Sequence, residues 1–412
     1  MGSDNNTKGF RFPAEFEKQE AIWLGWPVYE NKKGVSSVPV FLEIIRVLVS
    51  TVKVKIAAQD IEHKKEIEEI LINNAIPMDQ VSIYPIPHND IWFRDMGPVF
   101  LSDNQGKMLV QKFAFNGWGR DPLNSPLNAL DQIVPFRVAQ ELQLPLNSTT
   151  LISEGGDREF NGKGTMITVE AVELQRNPGL SRQQIEDEFI RIFNLKNVIW
   201  LKKGVYEDDH AFDGPLPGPD GLKDIMTCVT TGGHIDEFCR FVSTDTVLVA
   251  EVSKEEADAN PIAKVNRERM EENTAILRKA VDQDGKPLKI VRIPLPDPLF
   301  STMKAGDGVY DYFVDKYKSG FTFPIGNEIK VIAACSYNNF LITNGAILAP
   351  QYWKPGLQER IKEKDQKAVE ILGELFPDRK VYTFDVMALN LGGGGIHCIT
   401  QQQPFVETVC VV

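Results

Sequence analysis

Apolar residues recur three and four apart over residues 61–73 (IEHKKEIEEILIN), and a short β-branched and aromatic run, 81–86 (VSIYPI), follows them. The first spacing puts an apolar stripe on one side of a helix; the second suits a buried strand. The same helix-then-strand order returns at 131–142 into 148–152, 182–193 into 197–201, 262–280 into 288–293 and 364–376 into 380–385, with a further pair near 40–57. A unit repeated in this way predicts an α/β chain assembled from similar pieces. Polar residues beside glycines follow the strands: HNDIWFRDMGP after 81–86, EGGD after 148–152, TGGHIDEF beyond 197–201 and LNLGGGGIHC after 380–385. Glycine permits close approaches and backbone angles that other residues avoid. Side chains from distant repeats can therefore converge on one centre, as around a propeller axis.

One segment breaks the pattern. Residues 207–227 (EDDHAFDGPLPGPDGLKDIMT) are acidic and rich in Pro and Gly, and read as a surface loop insertion ahead of His234, either a lid or inert. No linker or low-complexity tract is evident, so residues 1–412 are expected to form a single domain.

With 412 residues, 42% of them hydrophobic, the chain can bury a large core. Its 45 basic and 57 acidic residues leave a net charge of -12. That balance disfavours nucleic acid and anionic membrane surfaces and mildly favours a cationic ligand. No stretch approaches the ~20 apolar residues that span a bilayer. The N-terminal MGSDNNTKGF lacks the apolar centre of a signal peptide, and Asn6 stands where a myristoylation motif has Ser or Thr. Five cysteines (228, 239, 335, 398 and 410) are too scattered for a disulfide framework. The expectation is a cytoplasmic protein in a reducing compartment.

Cys398 stands apart from the other cysteines, which read as small buried hydrophobes. Four glycines and His397 lead into it, and Thr and three Gln follow. To act as a nucleophile its thiol must fall from a pKa of ~8.5, through nearby positive charge or through a bound cation. His234 and Asp236 lie two residues apart, which on a strand places both on one face. The histidine suits acid/base work and the carboxylate suits holding a cation; alternatively Asp236 simply satisfies a core histidine. His397 would point away from Cys398 on an extended backbone and is read as structural.

The DIWFRD stretch carries Asp90, Trp92, Arg94 and Asp95. A carboxylate grips a guanidinium through paired charge-assisted hydrogen bonds, and an indole face can lie against the flat cation. The plainer alternative is an ion pair of Arg94 with an aspartate beside a core tryptophan. Glu154 either orients and charges the histidine or is an ordinary loop carboxylate. Cys228, His234, Asp236 and Cys239 are types that bind zinc, but the paired C-x-x-C or H-x-x-x-H spacing is missing, so no metal is expected. The glycines at 392–395 are not a phosphate loop, because no Lys-Ser/Thr follows.

Together these segments resemble the agmatine deiminase family, relatives of the bacterial peptidyl-arginine deiminases in the guanidino-group-modifying superfamily. The resemblance runs through LGWP (24–27), DIWFRDMGP (90–98), FNGWG (115–119), EGGDREFNGKGT (154–165), RNP (176–178), GGHID (232–236), SYNNFLITN (336–344) and GGGGIHCITQQQP (392–404). It implies a pentein fold, an α/β propeller of five ββαβ units around a central site. It also implies Cys398 as nucleophile, His234 as acid/base, Glu154 tuning the histidine, Asp95 and Asp236 binding the guanidinium, and Trp92 lining the pocket. No cofactor is implied; the partner is a small cationic guanidinium compound, and such proteins often dimerise. Asp90, Trp118 and Arg120 are placed on the substrate side. Arg120 stands where the family usually has Gly, so it either meets a carboxylate, which agmatine lacks, or lies on the surface. Agmatine is the expected substrate, with free, methylated or peptidyl arginine as the alternative. Amidino transfer to an amine and guanidine binding without catalysis are the remaining readings.

Overall fold

The computed structural model describes residues 7–28, 35–103, 105–209, 213–307, 310–311 and 328–407. Asn6, Cys410 and residues 210–212 of the expected insertion lie outside these described residues. Every helix–strand pair expected from the apolar spacing is present. Val38–Leu48 leads to Lys53–Ala58, Ile61–Asn73 to Val81–Pro85, and Val134–Glu141 to Leu146–Ile152. Arg182–Phe193 leads to Asn197–Leu201, Pro261–Leu277 to Lys289–Pro294, and Glu359–Leu375 to Lys380–Asp385.

Local chemistry fixes where these helices begin. Asp60 accepts the His63 N–H at 2.8 Å, and Ser181 and Gln184 form a reciprocal capping box. Asn260 caps Pro261–Leu277, whose first residue is a proline that needs no donor there. Each helix then buries one stripe. In Val38–Leu48 it is Val40, Phe41, Ile44, Ile45 and Leu48, each contributing about 1.5–3 kcal/mol when fully buried.

Five of the six sheets among the described residues share one pattern: an antiparallel pair, then a strand parallel to it that is reached through a helix. Phe100 pairs antiparallel with Val110, which pairs parallel with Leu146. Met166 joins Phe160 and Val198 in the same sense, Leu248 joins Arg240 and Val291, and Ile347 joins Ile342 and Val381. In the fifth sheet the two ends of the chain meet. Gln19–Gly25 runs antiparallel to Thr400–Pro404 and parallel to Lys53–Ala58, with Val81–Pro85 beyond. This pairing brings the segment after the glycine run back beside the start of the chain.

The sixth sheet corrects the loop expected at 207–227. Lys223–Thr227 pairs with Ile329–Ile332, flanked by Leu216–Pro217 and Phe300–Met303. Residues 219–224 are exposed, but Asp208 and Ile225–Thr227 at the two ends are buried. The segment is thus anchored at both ends rather than lying wholly on the surface. No helix among the described residues is long and apolar enough to cross a membrane.

Candidate active site

Cys398 sits in a turn between the short helix Met387–Asn390 and the final strand. Its carbonyl accepts the Arg94 N–H at 3.0 Å, which ties the turn to the DIWFRD segment. Its sulfur is 3.0 Å from Asn339 Nδ2, 3.7 Å from Asp236 Oδ2 and 3.9 Å from Glu237 Oε1. Asn339 uses both ends of its amide here. Its NH₂ donates to Glu237 Oε1 at 2.8 Å as well as facing the sulfur, and its Oδ1 accepts the His397 N–H at 2.9 Å.

His234 precedes a 3-10 turn, Ile235–Glu237, rather than lying on a strand. The strand reading of GGHID is therefore corrected, and the reason is local. Gly232 and Gly233 take φ of 91° and 107°, which a side chain would resist. The buried Asp208 carboxylate then gathers the N–H groups of Thr231 (2.8 Å), Gly233 (3.0 Å) and His234 (3.2 Å). The tight turn still aims His234 and Asp236 into one centre and adds Glu237 to it.

Glu154 begins the turn after Leu146–Ile152 and lies 3.2 Å from His234 Nε2. Its other neighbour is Arg176, whose Nε reaches both carboxylate oxygens at 2.9 and 3.0 Å. Burial works against the Glu154 charge, but Arg176 and His234 overcome it and lower the pKa to about 2. Burial also works against an imidazolium, yet Asp95 and Glu154 hold His234 charged and raise its pKa to about 10. The charged ring donates Nε2–H to Glu154 and keeps Nδ1–H, which has no hydrogen-bond partner among the described residues. Asp95 Oδ1 is 3.8 Å from that nitrogen.

Asp95 is held from two sides, by the Gly156 N–H at 2.8 Å and by Trp118 Nε1 at 2.7 Å. Burial raises its pKa, with His234 opposing. Burial likewise opposes the Asp236 charge, but His397, His234 and Arg240 keep its pKa low. Asp236 Oδ2 accepts from His397 Nδ1 at 2.7 Å, while Oδ1 has no partner among the described residues. Burial raises the Cys398 thiol far above its ordinary range, and Asp236, Glu237 and Asp95 push it further. Asp236, Glu237 and Cys398 offer donors within 4.8 Å of one another, a seat for positive charge. Cys228 and Cys239 do not join His234 and Asp236 in such a set among the described residues; Cys228 instead faces the Ile332 carbonyl at 3.1 Å.

Other expected residues divide. Trp92 is buried against the glycine run, beside Gly392 and Gly394. Trp118 holds Asp95, and the Arg120 guanidinium lies 4.5 Å from the Trp118 ring while Nη1 donates to the Thr230 carbonyl at 2.7 Å. Arg120 thus braces two loops that carry the site. Asp90 Oδ1 accepts the Ile91 N–H at 2.8 Å and the Asp90 N–H faces Asp131 Oδ1 at 3.4 Å, contacts that shape the loop leading into Trp92.

Arg94 pairs with Glu15 at 3.1 Å rather than with Asp90 or Asp95. His397 lies in a turn, so it does not point away from the site. Its ring bridges Asp236 and Glu15 at 2.7 and 2.8 Å, and Cys398 approaches the same Asp236 oxygen. Glu15 also meets Arg240 at 3.0 Å, so that Arg94, Arg240, His397 and Glu15 form a buried ionic cluster next to Cys398.

The sequence profile of the Porphyromonas-type peptidyl-arginine deiminase family matches residues 11–214 and 221–404. The chain belongs to that family. Among the relatives of this deiminase is the agmatine deiminase of Medicago truncatula, 31% identical over 411 residues and covering 96% of each chain. The agmatine deiminase of Pseudomonas aeruginosa is 30% identical over 403 residues, again 96% of each. A solved structure of the agmatine deiminase of Enterococcus faecalis superposes with a TM-score of 0.74 at 25% identity, covering 98% of each chain.

Asn339, Arg176, Glu237, Asp208 and Glu15 belong to the site without standing out in the sequence as site residues. Asn339 and Arg176 do lie in the SYNNFLITN and RNP stretches, and Glu237 adjoins Asp236. Asp208 and Glu15 carry no such signal.

Proposed function

We propose that this deiminase hydrolyses agmatine to N-carbamoylputrescine and ammonia through a covalent thiouronium on Cys398. The observation that carries the reading is the meeting of the Cys398 sulfur with Asp236, on a side chain with one unpartnered buried oxygen. Near-full-length similarity to agmatine deiminases supports the choice of substrate.

A guanidinium is flat, cationic and a poor electrophile. Asp95 and Asp236 hold it oriented, and the unpartnered Asp236 Oδ1 suits one of its N–H groups. The bound positive charge opposes the field that keeps the Cys398 thiol protonated, so the thiolate becomes accessible. Its electron pair attacks the central carbon. The charged His234 gives its proton to one amino group, which leaves as ammonia and takes the C–N bonding pair with it. The neutral histidine then removes a proton from water. The hydroxide adds to the same carbon, the C–S bond breaks with its pair returning to sulfur, and the hydroxyl proton passes to that sulfur, which restores the thiol as the neutral ureido product departs. Glu154 keeps His234 oriented and charged between turnovers.

The five like sheets are taken to close as one pentein propeller around this centre, a single catalytic unit acting in the cytoplasm and able to dimerise. Arg120 favours a second reading, in which the substrate tail carries a carboxylate, as in free or peptidyl arginine. Ammonia release measured with agmatine, arginine, methylarginine and an arginyl peptide separates the two. Agmatine is expected to turn over best, and no turnover of agmatine alongside turnover of a carboxylate-bearing guanidine rejects it.

A further inference from the structure

Glu237 faces two ways. Its Oε1 lies 3.9 Å from the Cys398 sulfur and accepts from Asn339 at 2.8 Å. It also lines a cavity of about 10 Å³, shared with Glu207, Asp208, Cys228, Ala334 and Cys335, which is about the room one water needs. Glu207 borders a second cavity as well, of about 230 Å³, with Asn266 and Asp297 inside and Pro219, Ala259 and Arg360 on an exposed rim. Asn266 Nδ2 donates to Glu207 Oε2 at 2.6 Å and fixes that carboxyl between the two spaces.

We propose that Glu237, the small cavity behind it and Glu207 form a proton exit that carries the Cys398 thiol proton to solvent once a guanidinium is bound. This rests on the deiminase reading of the site. The need for an exit follows from the neighbours of the sulfur. Two carboxyl oxygens lie near enough to receive its proton, Asp236 Oδ2 and Glu237 Oε1. The first already accepts from His397 at 2.7 Å, and in the proposed reading its carboxylate is taken up by the guanidinium. His234 is charged before the substrate arrives and has no capacity for a second proton.

Glu237 has an onward path. The ionisable groups that act on it are Asp236, Asp208, His234 and Glu207, with Cys398 across the gap. Burial raises Glu237 well above the carboxyl range, with Asp236 and Asp208 adding to it, and burial raises Glu207 too. A neutral carboxyl relays a proton by accepting one on one oxygen while releasing another from the second. The S–H bond breaks with its electron pair left on sulfur, one proton enters Glu237, one leaves it for the cavity, and one reaches solvent past Glu207. Only S–H and O–H bonds change.

The test is a rapid-quench measurement of the ammonia burst with agmatine in the full-length protein and in Glu237→Gln, Glu207→Gln and Ala334→Val. Glutamine keeps the shape of each glutamate, and at 237 its carbonyl still accepts from Asn339; valine at 334 narrows the cavity without touching either carboxyl. The burst rate is expected to fall ~100-fold in Glu237→Gln and ~10-fold in Glu207→Gln, within the range for a lost proton-transfer group. KM should stay within about twofold, and the variants' burst rates alone should rise with imidazole buffer concentration, because an exogenous carrier replaces the relay. A merely structural defect would not create that buffer dependence. If Glu237→Gln fails to fold, Glu207→Gln and Ala334→Val decide. Burst rates at the parent level with no buffer dependence in those two overturn the exit while leaving the deiminase reading intact. A parent protein that shows neither burst nor adduct sinks both.

Discussion

Glu154 and His234 face each other at 3.2 Å, carboxylate oxygen to ring Nε2, with both side chains 1% exposed. The pair stabilises charge on each partner, over different pH windows. The raised histidine stabilises the fold fully below its ordinary value of 6.5, and that contribution fades as pH climbs through about 10. The lowered glutamate contributes above its ordinary value of 4.5, and that contribution is lost as pH falls through about 2. Glu154→Gln is therefore expected to move the alkaline limb of kcat/KM, which reports the free protein, toward neutral pH and to flatten the alkaline fall in stability. A pH–rate profile whose alkaline limb stays in place contradicts this role for Glu154.

Arg176 holds the other side of the same carboxylate in a buried pair. Removing one member of such a pair strands the other charge away from water and costs about 3–5 kcal/mol. Arg176→Met should lose that much stability in urea unfolding. The double variant with Glu154→Gln should lose less than the two single losses combined, because no stranded charge remains. Strict additivity would show that the two residues do not act as a pair.

Two glycines make room for the proposed reacting groups. A Cβ at Gly156 would stand 2.5 Å from His234 Nδ1 and 2.9 Å from Asp95 Oδ1, and one at Gly394 would stand 2.6 Å from Trp92 Cζ3 and 3.1 Å from the Cys398 sulfur. Neither substitution requires an unusual φ of alanine. Both variants should fold, with circular dichroism like the parent, and lose ~100-fold or more in kcat/KM, since small misplacements of reacting groups are costly. Parent-like kinetics in either would place the reacting groups elsewhere.

Arg120 brings a positive charge beside the Trp118–Asp95 wall. Arg120→Gln keeps a donor for the Thr230 carbonyl and removes the charge. For a dicationic substrate KM should fall about threefold at low salt, less at high salt where the charge is screened, with kcat little changed. A rise in KM would mean that Arg120 serves the substrate directly.

Much of this arrangement is legible in the sequence because its signals are local. The stripe of Val40, Phe41, Ile44, Ile45 and Leu48 and its counterparts follow from burying one side of each helix. The chemistry around Cys398, His234, Asp236, Glu154 and Asp95 stands out because polar residues beside glycines suit no packed core.

What escapes is set by distant partners. The pairing of Trp23 with Gln401 joins Gln19–Gly25 to Thr400–Pro404 across almost the whole chain, and no periodicity encodes it. GGHID reads as a strand until Asp208, a residue of the acidic insertion, folds it into a turn. His397 reads as a bystander because its partners, Asp236 and Glu15, lie 161 and 382 residues away along the chain. Asn339 and Glu237 look like ordinary polar neighbours until the sulfur is set beside them.

The central claim is a covalent bond between Cys398 and the amidino carbon of the substrate. Intact-protein mass spectrometry after rapid acid quench with agmatine, followed by peptide mapping, tests it most directly. The account predicts an added mass equal to agmatine less ammonia, located on Cys398 and absent from Cys398→Ser. Steady ammonia release with no such adduct, or turnover retained in Cys398→Ser, contradicts it.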